Sequence, residues 1–191
     1  KPYPTCSGTH AAMDAIISLV KENHLTWQQV KSVQCRTTPM AVRSLIYNNP
    51  VSSEQAQFSM PFCIACVLRN GKLDISDLTE ENLHDRGIKE LMGKVVMEPT
   101  ETFGLTGKNS TEYPEGAEVT LRTVDGRVLQ KFVGHAKGSP ANPFTKEEQR
   151  AKFCSCAKNI IDDHKVNLCL DTIEKLQFVD NVQILSQNMI P

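Results

Sequence analysis

Nothing in these 191 residues is long and apolar enough to cross a bilayer as a helix. The longest mostly apolar stretch, around residues 58–68, falls well short of the ~20 residues a spanning helix needs. The N-terminus lacks the basic-then-apolar order of a signal peptide. An excess of one charge is also missing: 21 Lys and Arg stand against 22 Asp and Glu, for a formal net charge of −1. That balance leaves no basic stripe to displace counterions from a phosphate backbone, which argues against a nucleic-acid partner as well as a membrane one. Internal repeats and low-complexity tracts are absent, and no two histidines sit at metal-ligand spacing. A chain that starts at Lys1 rather than Met reads as a piece of a longer protein.

What is present describes an ordinary globular protein. Hydrophobic residues make up 40% and charged residues 23%, enough apolar content to fill one core. The seven cysteines, at positions 6, 35, 63, 66, 154, 156 and 169, are odd in number and scattered, which favours reduced thiols and a cytoplasmic location. Cys63-Ile64-Ala65-Cys66 is the one CxxC. It lies in an apolar stretch read as a buried helix, without the turn residues and second ligand pair of a metal knuckle. Cys154 and Cys156, two apart on another expected helix, do not share a face. No metal and no cofactor is therefore assigned.

The first fifteen residues carry the densest signal. Pro2 and Pro4 stiffen the approach to a helix that begins near His10. Ala11, Ala12, Ala15, Ile16, Leu19 and Val20 recur at helical spacing and predict a helix over residues 10–23. With Thr9 as N-cap, His10 falls in the first turn, where open N–H groups and the positive end of the helix dipole favour a carboxylate or phosphate. Lys1 and His10 would join those donors around one anion. Two readings stand for His10: a group that contacts substrate or moves a proton, or a helix-start histidine that only packs. On the residues alone Lys1 reads as a solvated terminal residue, Cys6 as a small buried thiol and Tyr47 as a half-buried rim aromatic. Gln57 and Ser59 are weaker candidates.

Farther along, Thr26 with Gln29 predicts a capped short turn, and Val33, Cys35 and Thr37 alternate as a strand. Pro39 starts a helix, and Ser53 caps another that runs to about Leu68, started or kinked by Pro61, and ends before Asn70-Gly71. Residues 79–92 read as one or two short helices broken at Gly87. Strands follow at 94–98, 117–123 and 127–132, the last two joined by Asp125-Gly126, a hairpin signal. Residues 101–115 read as a surface loop. Within it, the run from Gly104 to Ser110 has the wrong spacing for a phosphate loop, and Asn109-Ser110-Thr111 matters as a sequon only in a secreted protein. After a Gly/Pro-rich connector, Thr145 with Glu148 forms a capping box, and helices are expected near 145–163, 167–178 and 180–188. The fold class is α+β: a small, mostly antiparallel sheet packed with helices, followed by an all-helical C-terminal segment. The expected division is 1–136 as the α+β domain, 137–144 as the connector and 145–191 as the helical segment.

Several runs, in order, carry a family resemblance. Lys1-Pro2-Tyr3-Pro4, Cys6, His10 and Asp14 come first; Ala56-Gln57-Phe58-Ser59-Met60-Pro61-Phe62-Cys63-Ile64-Ala65, Gly71 and Lys94-Val95 follow. Gly138-Ser139-Pro140-Ala141-Asn142-Pro143-Phe144-Thr145 then runs toward Lys152-Phe153. Together they resemble the second, lid domain and the C-terminal helices of the MmgE/PrpD family, whose members resemble 2-methylcitrate dehydratase. The resemblance implies a cofactor-independent lyase acting on small di- or tricarboxylates by proton abstraction next to a carboxylate. It implies Lys1, Cys6 and Tyr47 as substrate-binding residues beside a catalytic His10. Some relatives carry histidine at the place of Cys6, so a catalytic histidine role does not transfer there. Epimerisation or decarboxylation of iminodisuccinate or cis-aconitate type is the alternative within the family. A non-catalytic binding module, or a thiol or metal protein built on Cys63 and Cys66, is the alternative outside it. The resemblance further implies a separate N-terminal helical domain as the missing partner, a homodimer, and an isolated chain that is inactive because its other acid–base groups lie elsewhere. The helical segment, lacking that partner, would expose an apolar face.

Overall fold

The computed structural model describes residues 1–101, 113–158 and 160–190. The chain divides into two units, Lys1–Pro143 and Phe144–Pro191. Among the described residues no helix is long and apolar enough to cross a membrane. Most of the loop expected over 101–115, including the run from Gly104 to Ser110 and the sequon at Asn109, lies outside the described residues.

The first unit opens with a single 3-10 turn, Ser7–Thr9, that runs directly into α1, His10–Glu22. Ala11, Ala12, Met13, Ala15, Ile16 and Leu19 give α1 its buried stripe. It ends where Asn23 turns its amide onto the Leu19 carbonyl at 2.9 Å and His24 takes a positive φ of 51°. The Thr26–Gln29 capping box encloses a 3-10 turn, Trp27–Gln29, which leads into β1, Val30–Thr37. Pro39 is the first residue of α2, Pro39–Ser44, capped by the Thr38 hydroxyl.

The helix expected from Ser53 to Leu68 is two helices, α3 at Ser53–Ala56 and α4 at Met60–Asn70. The break has a local cause. Ser59 Oγ accepts from the Phe62 N–H at 3.2 Å and starts a new helix, and Pro61 sits in its first turn, where the missing N–H costs nothing. α4 is buried from Met60 to Leu68 and closes at Gly71 in the left-handed conformation. Then come α5, Glu80–His84, and α6, Arg86–Met92. They part at Asp85, whose carboxylate caps Ile88 at 2.8 Å, rather than at Gly87.

β2 (Val95–Pro99), β3 (Ala117–Thr123) and β4 (Val128–Val133) complete a four-stranded sheet of order β2-β1-β3-β4. β1 runs antiparallel to β3, and β3 to β4, whereas β2 lies parallel to β1. The β3–β4 hairpin turns at Gly126, whose φ of 90° suits the Asp-Gly turn. Register places Val33, Val95, Leu121 and Leu129 across one row, and Cys35, Met97 and Val119 across the next, on the face that α1 and α4 cover. Phe62, Met13, Ile16 and Leu121 are among the fully buried side chains of this core. The opposite face is mixed: Arg36 meets Glu118 at 2.7 Å and Gln34 meets Glu98 at 2.8 Å, beside exposed Val96, Val128 and Phe132.

The second unit is helical. α7 (Lys146–Ala157) starts at the Thr145–Glu148 capping box, α8 is Asp163–Glu174, and α9 is Gln183–Asn188. α8 begins four residues before its expected start because Asp162 caps it, its carboxylate accepting from the Lys165 N–H at 2.8 Å. Leu168, Ile173, Leu176, Phe178, Val182 and Ile184 are exposed, Phe178 at 77%.

Candidate functional site

Proline placement decides how the chain enters the site. Pro2 and Pro4 fix φ at their own positions, the chain bends over residues 3–5, and the Cys6 N–H donates to the Gln57 carbonyl at 2.9 Å, which ties this segment to the turn before α4. Around that tie lies a hollow of about 580 Å³, lined by Lys1, Pro4, Thr5, Cys6, Ser7, Gln57, Phe58, Ile75 and Leu78. Its size is that of a small-molecule cleft. Lys1 is exposed and supplies the cation at its rim; Pro4, Phe58, Ile75 and Leu78 supply the apolar wall.

His10 does not line the hollow. It is 4% exposed, and its Nε2 lies 3.2 Å from the carbonyl oxygen of Thr5, which does line it. Burial is the main reason its pKa falls to about 4; the nearby Lys1 charge pushes it down further, while the Thr5 bond and Glu115 push it up. The ring is therefore neutral near pH 7. Lys1 Nζ donates to the same Thr5 oxygen at 3.2 Å, so the structure does bring Lys1 and His10 together, on a backbone acceptor.

The helix start differs from the simple cap expected at Thr9. Thr9 occupies the N-cap position, but its hydroxyl donates backward to the Cys6 carbonyl at 2.8 Å and meets the Thr5 hydroxyl at 2.9 Å. The 3-10 turn makes the difference, because it brings Cys6 within reach and uses the Ser7 carbonyl to accept the His10 N–H. Gly8 in this turn passes close to α2: a Cβ there would stand 3.1 Å from Ala41 Cβ. Cys6 and Ser7 line a second, smaller hollow of about 80 Å³ with Met40, Ser44 and Glu115.

Tyr47 is half-buried and lies outside the lining of the larger hollow. Its backbone N–H points at the Phe58 carbonyl at 3.5 Å, which places it beside the wall. Ser59 is a buried helix cap, whereas Gln57 lines the hollow.

Other groups here have no local signal or were visible only as part of a run. Ser7 donates to Glu115, which arrives from 108 residues away. The chain there is pinned by Thr38, whose hydroxyl meets the Pro114 carbonyl at 3.2 Å, and by Thr37, whose hydroxyl meets that of Gly116 at 3.2 Å. Tyr3 stands edge-on to the His10 ring, 5.3 Å between centroids and 75° between planes, and its hydroxyl reaches Asp14 at 2.5 Å.

The thiols and the second unit offer less. Cys63 and Cys66 are free and fully buried, and burial pushes the Cys63 thiol up to about 12 and Cys66 higher. Thiols so placed are poor nucleophiles. Among the described residues no three His, Cys, Asp or Glu side chains group to hold a metal ion. A hollow of about 480 Å³ in the second unit carries Lys146 and Arg150, but Glu174 engages both.

The sequence profile of the MmgE/PrpD C-terminal domain matches residues 3–176. The chain belongs to the MmgE/PrpD family. No curated protein sequence matches the chain. The match takes in Cys6, His10 and Tyr47, begins two residues after Lys1, and extends through α7 and α8 into the 3-10 turn Leu176–Phe178. The family includes enzymes of the lyase type, so an MmgE/PrpD domain with a cation-rimmed hollow at its N-terminal junction has a natural chemical reading.

Proposed function

We propose that this chain is the C-terminal part of a cofactor-independent lyase acting on a small polycarboxylate, in the manner of 2-methylcitrate dehydratase. The observation that carries the reading is the hollow at the 1–10 junction, with the Lys1 ammonium at its rim and the neutral His10 on the Thr5 carbonyl. Abstracting a proton next to a carboxylate needs a cation to fix the carboxylate, a base to take the proton, and an acid to protonate the departing hydroxyl. Lys1 is the cation. His10 takes the proton-accepting role in the complete enzyme: its ring is neutral at physiological pH, and because it lies behind Thr5 rather than in the lining of the hollow, the role requires the ring to be opened toward substrate. Cys6 lines the hollow beside Gln57, and Tyr47, outside the lining, backs its Phe58 wall, from where both would contribute to substrate binding. The remaining acid comes from a helical domain outside this chain, so the isolated chain is inactive, and two copies of the full-length protein pair as a homodimer.

The full-length gene product, offered 2-methylcitrate, citrate, cis-aconitate and iminodisuccinate, tests the reading by product. An unsaturated acid with loss of water marks a dehydratase. Loss of CO₂ or an inverted stereocentre assigns the decarboxylase or epimerase chemistry instead. Lys1→Ala is expected to raise KM about tenfold or more, the scale of a lost charge-assisted bond. Turnover of none of the four overturns the reading.

A further inference from the structure

Asp14 sits one turn after His10 on α1 and binds two separate parts of the chain. Its Oδ1 accepts from the Tyr3 hydroxyl at 2.5 Å, and its Oδ2 accepts from the Lys137 N–H, in the connector after β4, at 2.7 Å. Tyr3 is 9% exposed and is held on both sides by proline, so its ring has little freedom once the hydroxyl is bound. That ring is the edge-on neighbour of His10. Continuing along the chain, His10 Nε2 meets the Thr5 oxygen, which Lys1 also meets.

We infer that Asp14 is a positioning residue: through Tyr3 it fixes the His10 ring with Nε2 on the Thr5 carbonyl, and through Lys137 it ties that arrangement to the connector after β4. A carbonyl only accepts, so this geometry selects the Nε2–H tautomer and leaves Nδ1 as the basic nitrogen. Proton placement agrees. Burial and the neighbouring Asp14 raise the Tyr3 pKa, so the phenol keeps its proton and donates; burial also raises the Asp14 pKa, against the downward pull of the two bonds it accepts from Tyr3 and Lys137. The charged side chains acting on the His10 ring are Lys1, from the bent segment before the 3-10 turn, and Glu115, from the segment before β3. Lys1 donates to Thr5 and Glu115 accepts from Ser7, hydrogen bonds in which neither Tyr3 nor Asp14 takes part.

The inference deepens the proposed function and rests on it for its kinetic consequence, whereas its structural consequence is read independently. The experiment uses the full-length protein labelled with ¹⁵N-histidine, as wild type, Tyr3→Phe, Asp14→Asn and the double variant. The wild type should show His10 as a single Nε2–H tautomer. Each single variant should give mixed tautomers, because the Tyr3 ring that holds His10 edge-on is no longer anchored. If the lyase reading holds, kcat should fall about 10- to 100-fold, the scale of a misplaced catalytic group, with KM changed less than about threefold. The double variant should fall no further than the worse single one, because the two residues act as a unit. Should Asp14→Asn fail to fold, Tyr3→Phe decides alone, since it keeps the ring and removes only the hydroxyl. A single Nε2–H tautomer retained in a folded Tyr3→Phe protein would overturn the inference. Absence of turnover in the wild type would overturn the lyase reading and leave the tautomer measurement to judge Asp14.

Discussion

Lys1 and His10 share one acceptor: Lys1 Nζ and His10 Nε2 each lie 3.2 Å from the carbonyl oxygen of Thr5. A flexible cation and a buried imidazole are thereby tied to a single peptide unit whose flanking residues, Pro4 and Cys6, line the hollow. In the sequence they stand nine positions apart. The proline-stiffened segment followed by a 3-10 turn folds that distance back on itself.

The depressed pKa of His10 makes stability depend on pH. The folded protein holds the ring neutral down to about pH 4, against an ordinary value of 6.5. Below pH 6.5 the unfolded chain binds a proton that the folded chain refuses, so stability is full above that point and falls as pH drops toward 4. The loss attributable to this one ring is roughly 3 kcal/mol at the acid end, from 1.36 kcal/mol per pKa unit. Urea denaturation between pH 7 and 4.5 should show the fall, and His10→Gln should flatten it. An equally steep slope in the variant would assign the effect to other groups.

Gly8→Ala is expected to destabilise the first unit by about 1–3 kcal/mol, the usual scale of overpacking. The added Cβ would meet Ala41 Cβ at 3.1 Å and Ala41 Cα at 3.5 Å, neither of which can rotate away. Gly126→Ala provides the contrast. Nothing lies within 4 Å of its new Cβ, so its cost of about 1 kcal/mol comes only from the positive φ of 90°. Thermal melts of both variants check the ranking, and a Gly8→Ala protein as stable as wild type would contradict the close approach to α2.

Thiol accessibility should follow burial. Cys154 is exposed, Cys6 and Cys156 are half-buried, and Cys35, Cys63, Cys66 and Cys169 are buried. Burial pushes Cys35 and Cys63 up to about 12, which removes the reactive thiolate at neutral pH. Titration with a chromogenic disulfide should therefore modify Cys154 first and reach the four buried thiols only in denaturant. Rapid native labelling of Cys63 or Cys66 would revive the thiol reading of the CxxC.

Local grammar explains what could be read from the residues alone. The α1 stripe, the Asp125-Gly126 hairpin, and the caps at Thr26 and Thr145 depend on neighbours within four residues, and each is found where the pattern places it. Tyr3, His10 and Asp14 stood in one recognisable run, yet only the fold shows that a hydroxyl and a ring edge connect them. The Thr9 hydroxyl went elsewhere because the preceding turn offered it a carbonyl. Glu115, Gln57 and the parallel pairing of β2 with β1 depend on contacts across tens of residues, which no short window contains. The break between α3 and α4 was written in Ser59, the N-cap of the second helix, and Pro61 in its first turn.

Solvent-deuterium exchange into substrate tests the account most directly. Full-length wild type and His10→Gln, each incubated in deuterated water with the four polycarboxylates, report proton abstraction whether or not product is released. The account predicts incorporation next to a carboxylate in at least one substrate and a loss of about 100-fold or more in the variant, the scale of a missing general base. Exchange in the variant equal to wild type would contradict it and leave His10 as a packing residue beneath Thr5.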